Sequence, residues 1–357
     1  MGGPLVHLDE LERQYCKSSR KAVLLLLVCG ALVPVCAVAF TGVGAADASL
    51  RDILGALRGA LLRGGQLQNA NEKIVLHLRL PRIALAILCG AGLSVSGAAL
   101  QGITRNPMVS PFTVGISSAA AFGASLSIVY GLGPFGGTNA DIVLSAFAWA
   151  LLCAVLVYLA SSRAGMTPES IILTGIAANY LFSACDSVVK FFASDYQLAA
   201  AVQWLFGSLN GAAWSQVLVV LLVSLPCLGG IYAFAQPLNA LSGGGDEIAK
   251  TLGISPGRVR GAVGLLSVLL TAAIISFTGV IGFVGLAGPH IARLLIGGDH
   301  RFLLPFSAVT GALLVLAADT AGRAIFAPIN IPVGIVVSLL GVPVLVHLIL
   351  KRRGEVR

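Results

Sequence analysis

Residues 79–115 read RLPRIALAILCGAGLSVSGAALQGITRNPMVSPFTVG. A basic entrance, Arg79-Leu80-Pro81-Arg82, opens onto the run Ile83 to Leu100, in which there is no charge and small residues recur, and the run closes at Arg105-Asn106-Pro107. A bilayer-crossing helix needs about 20 predominantly apolar residues, and small side chains let helices approach closely in lipid. Similar runs recur along the chain, so this stretch predicts a bundle of membrane helices rather than a soluble core.

Composition agrees. Of 357 residues, 57% are hydrophobic and 11% charged, with 43 glycines, and mean hydropathy is +0.93; soluble domains carry about 25% charge. The candidate spans are Ala22–Thr41, Ile83–Leu100, Phe112–Leu132, Ile142–Ser161, Ile171–Phe192, Trp214–Ala235, Ala262–Ile281, Leu286–Ile296, Leu303–Phe326 and Pro332–Leu350. The first, after Arg20-Lys21, also fits a signal peptide cleaved near Ala45-Ala46, but it is long enough to span and further runs follow. The eighth is short, contains Pro289 and follows glycines 279, 282, 285 and 288, which predicts a broken or steeply packed helix. The expected organisation is a segment 1–21, one membrane domain over 22–350 and a tail 351–357.

Ten crossings put both termini on one side. With that side cytoplasmic, fifteen Lys and Arg lie inside against eight outside, the orientation that the positive-inside rule favours. The net charge of +8 is thereby read as topology, with the lipid bilayer and not nucleic acid as its partner. Part of the outer charge sits at Arg79 and Arg82 and needs another explanation. Ser49–Leu62 places Leu50, Ile53, Leu54, Leu57 and Leu61 on one face, either an amphipathic helix on the membrane or bundle or an ordinary helical connector.

The sequence has no GxxxxGK[ST]: Gly243-Gly244-Gly245-Asp246-Glu247 followed by Lys250-Thr251 lacks the glycine before the lysine. HExxH and GxSxG are absent, and the seven cysteines form no CxxC pair. If ATP powers transport, another chain supplies the nucleotide site. Ser242–Arg260 is the largest polar insertion on the inner side. Asp246–Leu252 can form a helical turn with acidic residues first and Lys250 later, stopped by Gly253 and followed by a restart at Pro256; it suits either force transmission from a partner or a plain exposed loop. Asn106-Pro107 and Pro111 interrupt the chain at the inner end, making Asn106, Met108 and the nearby Thr167 candidates for an inner gate, with a tight loop as the alternative. Asp186 with Lys190 and Asp319 with Arg323 are pairs at i,i+4 that read as structural neutralisation. Were Asp319 a proton carrier, the chain would be an ion-coupled secondary transporter.

These motifs carry a resemblance. Residues 79–115, WLFGSLNGAAW at 204–214, GGGDEIAKTLG at 243–253, GFVGLAGPHIARLLIGGDHRFLLPFSAVTGALLVLAADTAGR at 282–323 and INIPVGI at 329–335 resemble the FecCD-type ABC importer permeases, which serve iron-siderophore, haem and vitamin B12 uptake. The resemblance implies an all-α polytopic protein of about ten transmembrane helices with a vitamin B12 permease-like, type II ABC importer fold. It also implies a second permease copy, a homodimer with a heterodimer as the alternative, and two cytoplasmic ATPase subunits that bind ATP and Mg2+. This chain is then non-catalytic and holds no cofactor or metal. An extracytoplasmic substrate-binding protein is implied, docking through acidic residues on Arg79, Arg82 and Arg323. Asp246, Glu247, Lys250, Leu252 and Gly253 match the ATPase-coupling segment, and Asn106 and Met108 the inner constriction. The setting implied is a prokaryotic cytoplasmic membrane. Asn330 departs from the family, many relatives placing Glu there. The WLFGSLNGAAW form looks closer to the siderophore and haem branches than to the cobamide branch.

Overall fold

The computed structural model describes residues 4–43, 49–62, 69–325 and 329–343. Residues 344–350 of the tenth expected span, the tail 351–357, Arg63 and the Ala45-Ala46 cleavage alternative lie outside them. Among the described residues every regular element is helical: α1 Pro4–Gly42, α2 Leu50–Leu62, α3 Ala70–Ile74, a π turn Val75–Arg79, α4 Leu80–Thr104, α5 Ile116–Tyr130, α6 Asn139–Arg163, α7 Pro168–Phe191, α8 Asp195–Leu205, α9 Trp214–Ala233, α10 Ala235–Thr251, α11 Pro256–Thr278, α12 Val284–Ile296 and α13 His300–Ala324. A further helix, α14, covers Val333–Pro343. Among the described residues seven helices are long and apolar enough to cross a membrane; the shorter apolar helices α5, α12 and α14 stand at the third, eighth and tenth expected crossings.

α4 is the hub. It is buried along most of its length and packs on α13, α11 and α12. In lipid, helix association rests on close packing rather than on water release, and here it depends on absent side chains. A Cβ on Gly97 would fall inside the Gly285 carbonyl of α12, and one on Gly90 inside the Gly311 carbonyl of α13. Phe283 has φ 69° just before α12, and Pro289 lies within it; of the two alternatives, the eighth element is the closely packed one, a short helix that runs unbroken from Val284 to Ile296.

Local features add to the expected spans. α1 is one helix from Pro4 to Gly42, of which Ser19–Gly42 is long and apolar enough to cross a membrane. The sixth span is α9, Trp214–Ala233, close to the expected Trp214–Ala235, and the chain turns at Phe234 into a separate helix, α10. α2 does cover other helices, but through Ile53 and Ala56 against Val75 of the π turn, while Leu54 and Leu57 stay exposed. The π turn answers to Pro81. The Leu80 N–H reaches back to the Val75 carbonyl, and the next residue in that register, Pro81, has no N–H to give Leu76. Leu76 O instead accepts from Trp214 Nε1 at 2.9 Å, fixing the start of α9 to the head of α4.

Candidate functional site

Two clusters occupy opposite ends of the bundle. The end carrying Asp246 is termed inner and the other outer.

At the inner end, Gly245 breaks α10 with φ 74° and ψ −173°, a conformation open to glycine and strained for other residues. Asp246–Thr251 is thus a short helix set off from the rest of α10, closed by Leu252 and by Gly253 at φ 75°. Ala249 is buried beneath it, whereas Glu247, Ile248, Lys250 and Leu252 face outward, Leu252 being 64% exposed. Glu247 and Lys250 pair at 3.0 Å with both side chains exposed, a contact worth little stability.

Asp246 turns the other way. Its carboxylate receives Nη1 and Nη2 of Arg260 at 2.8 and 2.5 Å. Arg260, 1% exposed, also donates from Nε to Ile103 O at 3.0 Å and from Nη1 to Met166 O at 3.2 Å. The hydrogen-bonded Arg260 guanidinium holds the Asp246 carboxyl below the usual range, assisted by the charges of Arg105 and Lys250. In the sequence Arg260 is only one of the fifteen inner-side basic residues. Its signal was periodicity: Val263, Ser267 and Thr271 share its face and are buried with it.

The three expected gate residues are not gathered into one cavity. Asn106 lines a cavity of about 1050 Å³ with Gln101, Arg105, Asn239, Arg293 and His300, and neither Met108 nor Thr167 lines it. Asn106 Oδ1 accepts from the Met108 N–H at 3.0 Å, and the Met108 side chain is 59% exposed. Thr167 caps α7, its hydroxyl accepting from Ser170 N at 3.2 Å. What joins these two loops is Arg260, which bonds the residue before Thr167 and the last turn before Arg105.

At the outer end the expected basic rim is an interior network. Arg82 donates Nε and Nη2 to Asp319, the closest contact being 2.7 Å, and Nη1 to Asn210 Oδ1 at 2.6 Å. Arg323 Nε reaches Asp319 at 3.1 Å, and its Nη1 reaches Val43 O at 2.5 Å. Arg79 Nη1 donates to Thr41 O at 2.6 Å. Arg79 and Arg323 are each 8% exposed, and the Arg82 side chain is 15% exposed. Carbonyls of the α1 terminus are among the groups these guanidiniums satisfy, so the three arginines bind α1, α4 and α13 together. Asp319, 1% exposed and flanked by two arginines, is the counter-charge of that network rather than an isolated carboxyl.

Between the ends, Asp186 pairs with Lys190 at 2.5 Å and accepts from Ser125 Oγ at 2.6 Å. It borders a cavity of about 460 Å³ with Thr113, Ser117, Ser118, Asn179 and Ser183. Among the described residues no group of three His, Cys, Asp or Glu is placed to hold a metal ion.

The FecCD transport family profile matches residues 24–351. The chain belongs to the FecCD transport family. It is a multi-pass ABC transporter permease. Curated relatives include the hemin transport system permease HmuU of Yersinia pestis, 40% identical over 79% of this chain and 84% of that one, and the cobalamin import permease BtuC of Halobacterium salinarum, 40% identical over 80% and 75%. The iron(3+)-hydroxamate import permease FhuB of Bacillus subtilis is 37% identical over 96% and 87%. A solved ABC transporter of the metal-chelate type in an inward-facing conformation has TM-score 0.81 and 31% identity, covering 92% of this chain and 99% of that one.

Proposed function

We propose that this permease forms, with a second copy of itself, the membrane pathway of an ATP-driven importer for an iron complex, a siderophore or haem. Two cytoplasmic ATPase subunits bind ATP and Mg2+ and press on Asp246–Gly253. An external binding protein delivers substrate to the outer end, where Arg82 is the most accessible of the three arginines and Arg79 and Arg323 hold its surroundings. Both termini lie in the cytoplasm of a prokaryotic cell, whose inner membrane houses the complex. The observation that carries this reading is the short helix between Gly245 and Gly253: it shows a mixed polar and apolar face outward and is bonded through Asp246 to the bundle's interior. A surface of that kind fits a partner that delivers force.

The iron reading rests on the hemin and hydroxamate relatives and on the metal-chelate neighbour. Cobamide import is the second reading, favoured by the equally similar cobalamin permease. Ion-coupled transport loses its candidate, because Asp319 is committed to Arg82 and Arg323. The test is reconstitution of the purified permease with its cognate ATPase and binding protein in liposomes. ATP hydrolysis is expected only with the ATPase present, and uptake of ferric siderophore or haem in preference to cobalamin. Hydrolysis by the contaminant-free permease alone rejects the division of labour; preferential cobalamin uptake rejects the iron reading.

A further inference from the structure

We infer that Arg260 is the positioning residue that makes the Asp246–Leu252 helix and the two inner loops, Arg105–Met108 and Met166–Thr167, move as one body. The inference rests on the proposed ATPase contact and adds how force leaves it.

The helix is bracketed by glycines at positive φ, Gly245 and Gly253: the first breaks it from the rest of α10, and the second closes it, with Gly253 N and Ile254 N donating to Lys250 O and Ala249 O. Its charged tie to the bundle is the two-pronged Asp246–Arg260 pair. The same guanidinium holds Ile103 O, two residues before the left-handed cap Arg105, and Met166 O, one residue before the α7 cap Thr167. Three segments far apart in sequence thus converge on one planar group whose N–H bonds point in fixed directions. Displacing Asp246 while keeping both prongs must rotate that plane, and rotation pulls on both carbonyls.

Backbone conformation marks the same places. Among the described residues, three non-glycine residues have positive φ: Arg105 at 52°, Met166 at 54° and Phe283 at 69°. Two of the three lie in the loops that Arg260 ties. Left-handed backbone outside glycine is disfavoured, because Cβ crowds the following carbonyl oxygen, and persists where surrounding contacts over-determine it. Arg260 supplies such contacts, and a shift of its plane would release both loops together. A lysine retains the charge but cannot reproduce the fork.

The test uses the full permease in nanodiscs, with spin labels on the exposed positions Met108→Cys and Leu252→Cys, and the reconstituted complex for transport. In Arg260→Lys, the distance distribution between the labels is expected to widen at least twofold and uptake per ATP hydrolysed to fall at least tenfold, with ATPase co-purification retained. Asp246→Asn leaves both carbonyl bonds of Arg260 in place and serves if Arg260→Lys does not insert; it is expected to widen the same distribution. Unchanged width in the variant that inserts overturns the inference, as does wild-type uptake per ATP. The label measurement needs no partner, so failure of the permease to bind any ATPase would reject the proposed function while the clamp is still judged by the distances.

Discussion

Arg82 and Asp319, 237 positions apart in the chain, meet side-on at the outer end, with Nε and Nη2 of the arginine both directed at a carboxylate that is 1% exposed. Asp319 also serves Arg323 one helical turn later. One carboxylate therefore balances two guanidiniums drawn from α4 and α13, the most extensively packed pair of helices in the bundle.

Removing that carboxylate leaves two largely buried cations facing each other. Breaking a buried pair from one side costs about 3–5 kcal/mol, so Asp319→Ala is expected to lower Tm in detergent substantially or to abolish the folded chain. Asp319→Asn, which keeps an acceptor, should fall between it and the wild type. Thermal unfolding of the three proteins checks this; equal Tm values would mean that the network adds nothing.

A second expectation concerns Gly97. A side chain there would enter the Gly285 backbone carbonyl, which cannot rotate away as a side chain can. Overpacking typically costs 1–3 kcal/mol and occasionally more, and separating α4 from α12 belongs to the severe end. Gly97→Val is expected to yield little monodisperse protein by size-exclusion chromatography. Gly30→Ala is the control: nothing lies within 4 Å of its added carbon, and yield should match the wild type.

Apolar run length made the ten helical positions legible, and the spacing of glycines around Pro289 made the short, closely packed α12 legible, because both are local properties. The Asp319–Arg323 pair was legible for the same reason, being one helical turn apart. Arg82 as Asp319's second partner was not, since a contact spanning 237 positions leaves no periodic trace. α8 was missed although Ser194-Asp195-Tyr196-Gln197 carries a capping-box pattern, which the structure forms with Gln197 Oε1 accepting from Ser194 N at 3.0 Å. Asp246–Gly253 was read correctly as a turn ended by glycine, yet its attachment through Arg260 required knowing which helix faced it. The resemblance implied docking at Arg79, Arg82 and Arg323; residue identity carries no information on depth, and Arg79 and Arg323 are buried while the Arg82 side chain is 15% exposed.

Acid should loosen the inner clamp in a defined direction. Asp246 titrates below its ordinary value of 3.8, chiefly because Arg260 is hydrogen-bonded to the charged form. Its stabilisation is thus fully present above about pH 4 and is lost as pH falls through the depressed value. Asp246→Asn removes the charge at every pH. The variant is expected to unfold earlier than the wild type at pH 5–7, by about 1 kcal/mol for a charge-assisted bond at a partly exposed site. The two should converge below pH 4. A difference in Tm that grows on acidification would contradict the clamp.

The outer arginines carry the remaining expectation, and their burial changes how it must be tested. Arg79 and Arg82 were expected to steer an acidic binding protein, an effect that works through encounter rate and is screened over about 8 Å at physiological salt. Charge reversal at either residue also attacks the network that holds α1, α4 and α13, so slower docking could follow from a distorted surface alone. Arg82 separates the two effects best, because it combines the greatest side-chain exposure of the three with bonds to both Asp319 and Asn210. Arg82→Gln and Arg82→Lys should both lower Tm, since neither reproduces the fork against Asp319. Only Arg82→Gln removes the charge that a partner feels. Association of the binding protein, measured at low and moderate salt, is therefore expected to slow several-fold in Arg82→Gln, with a shallower salt dependence, and to remain near wild type in Arg82→Lys. Equal slowing in both variants would leave Arg82 as a structural residue. Unchanged association in both would move the docking surface away from this end of α4.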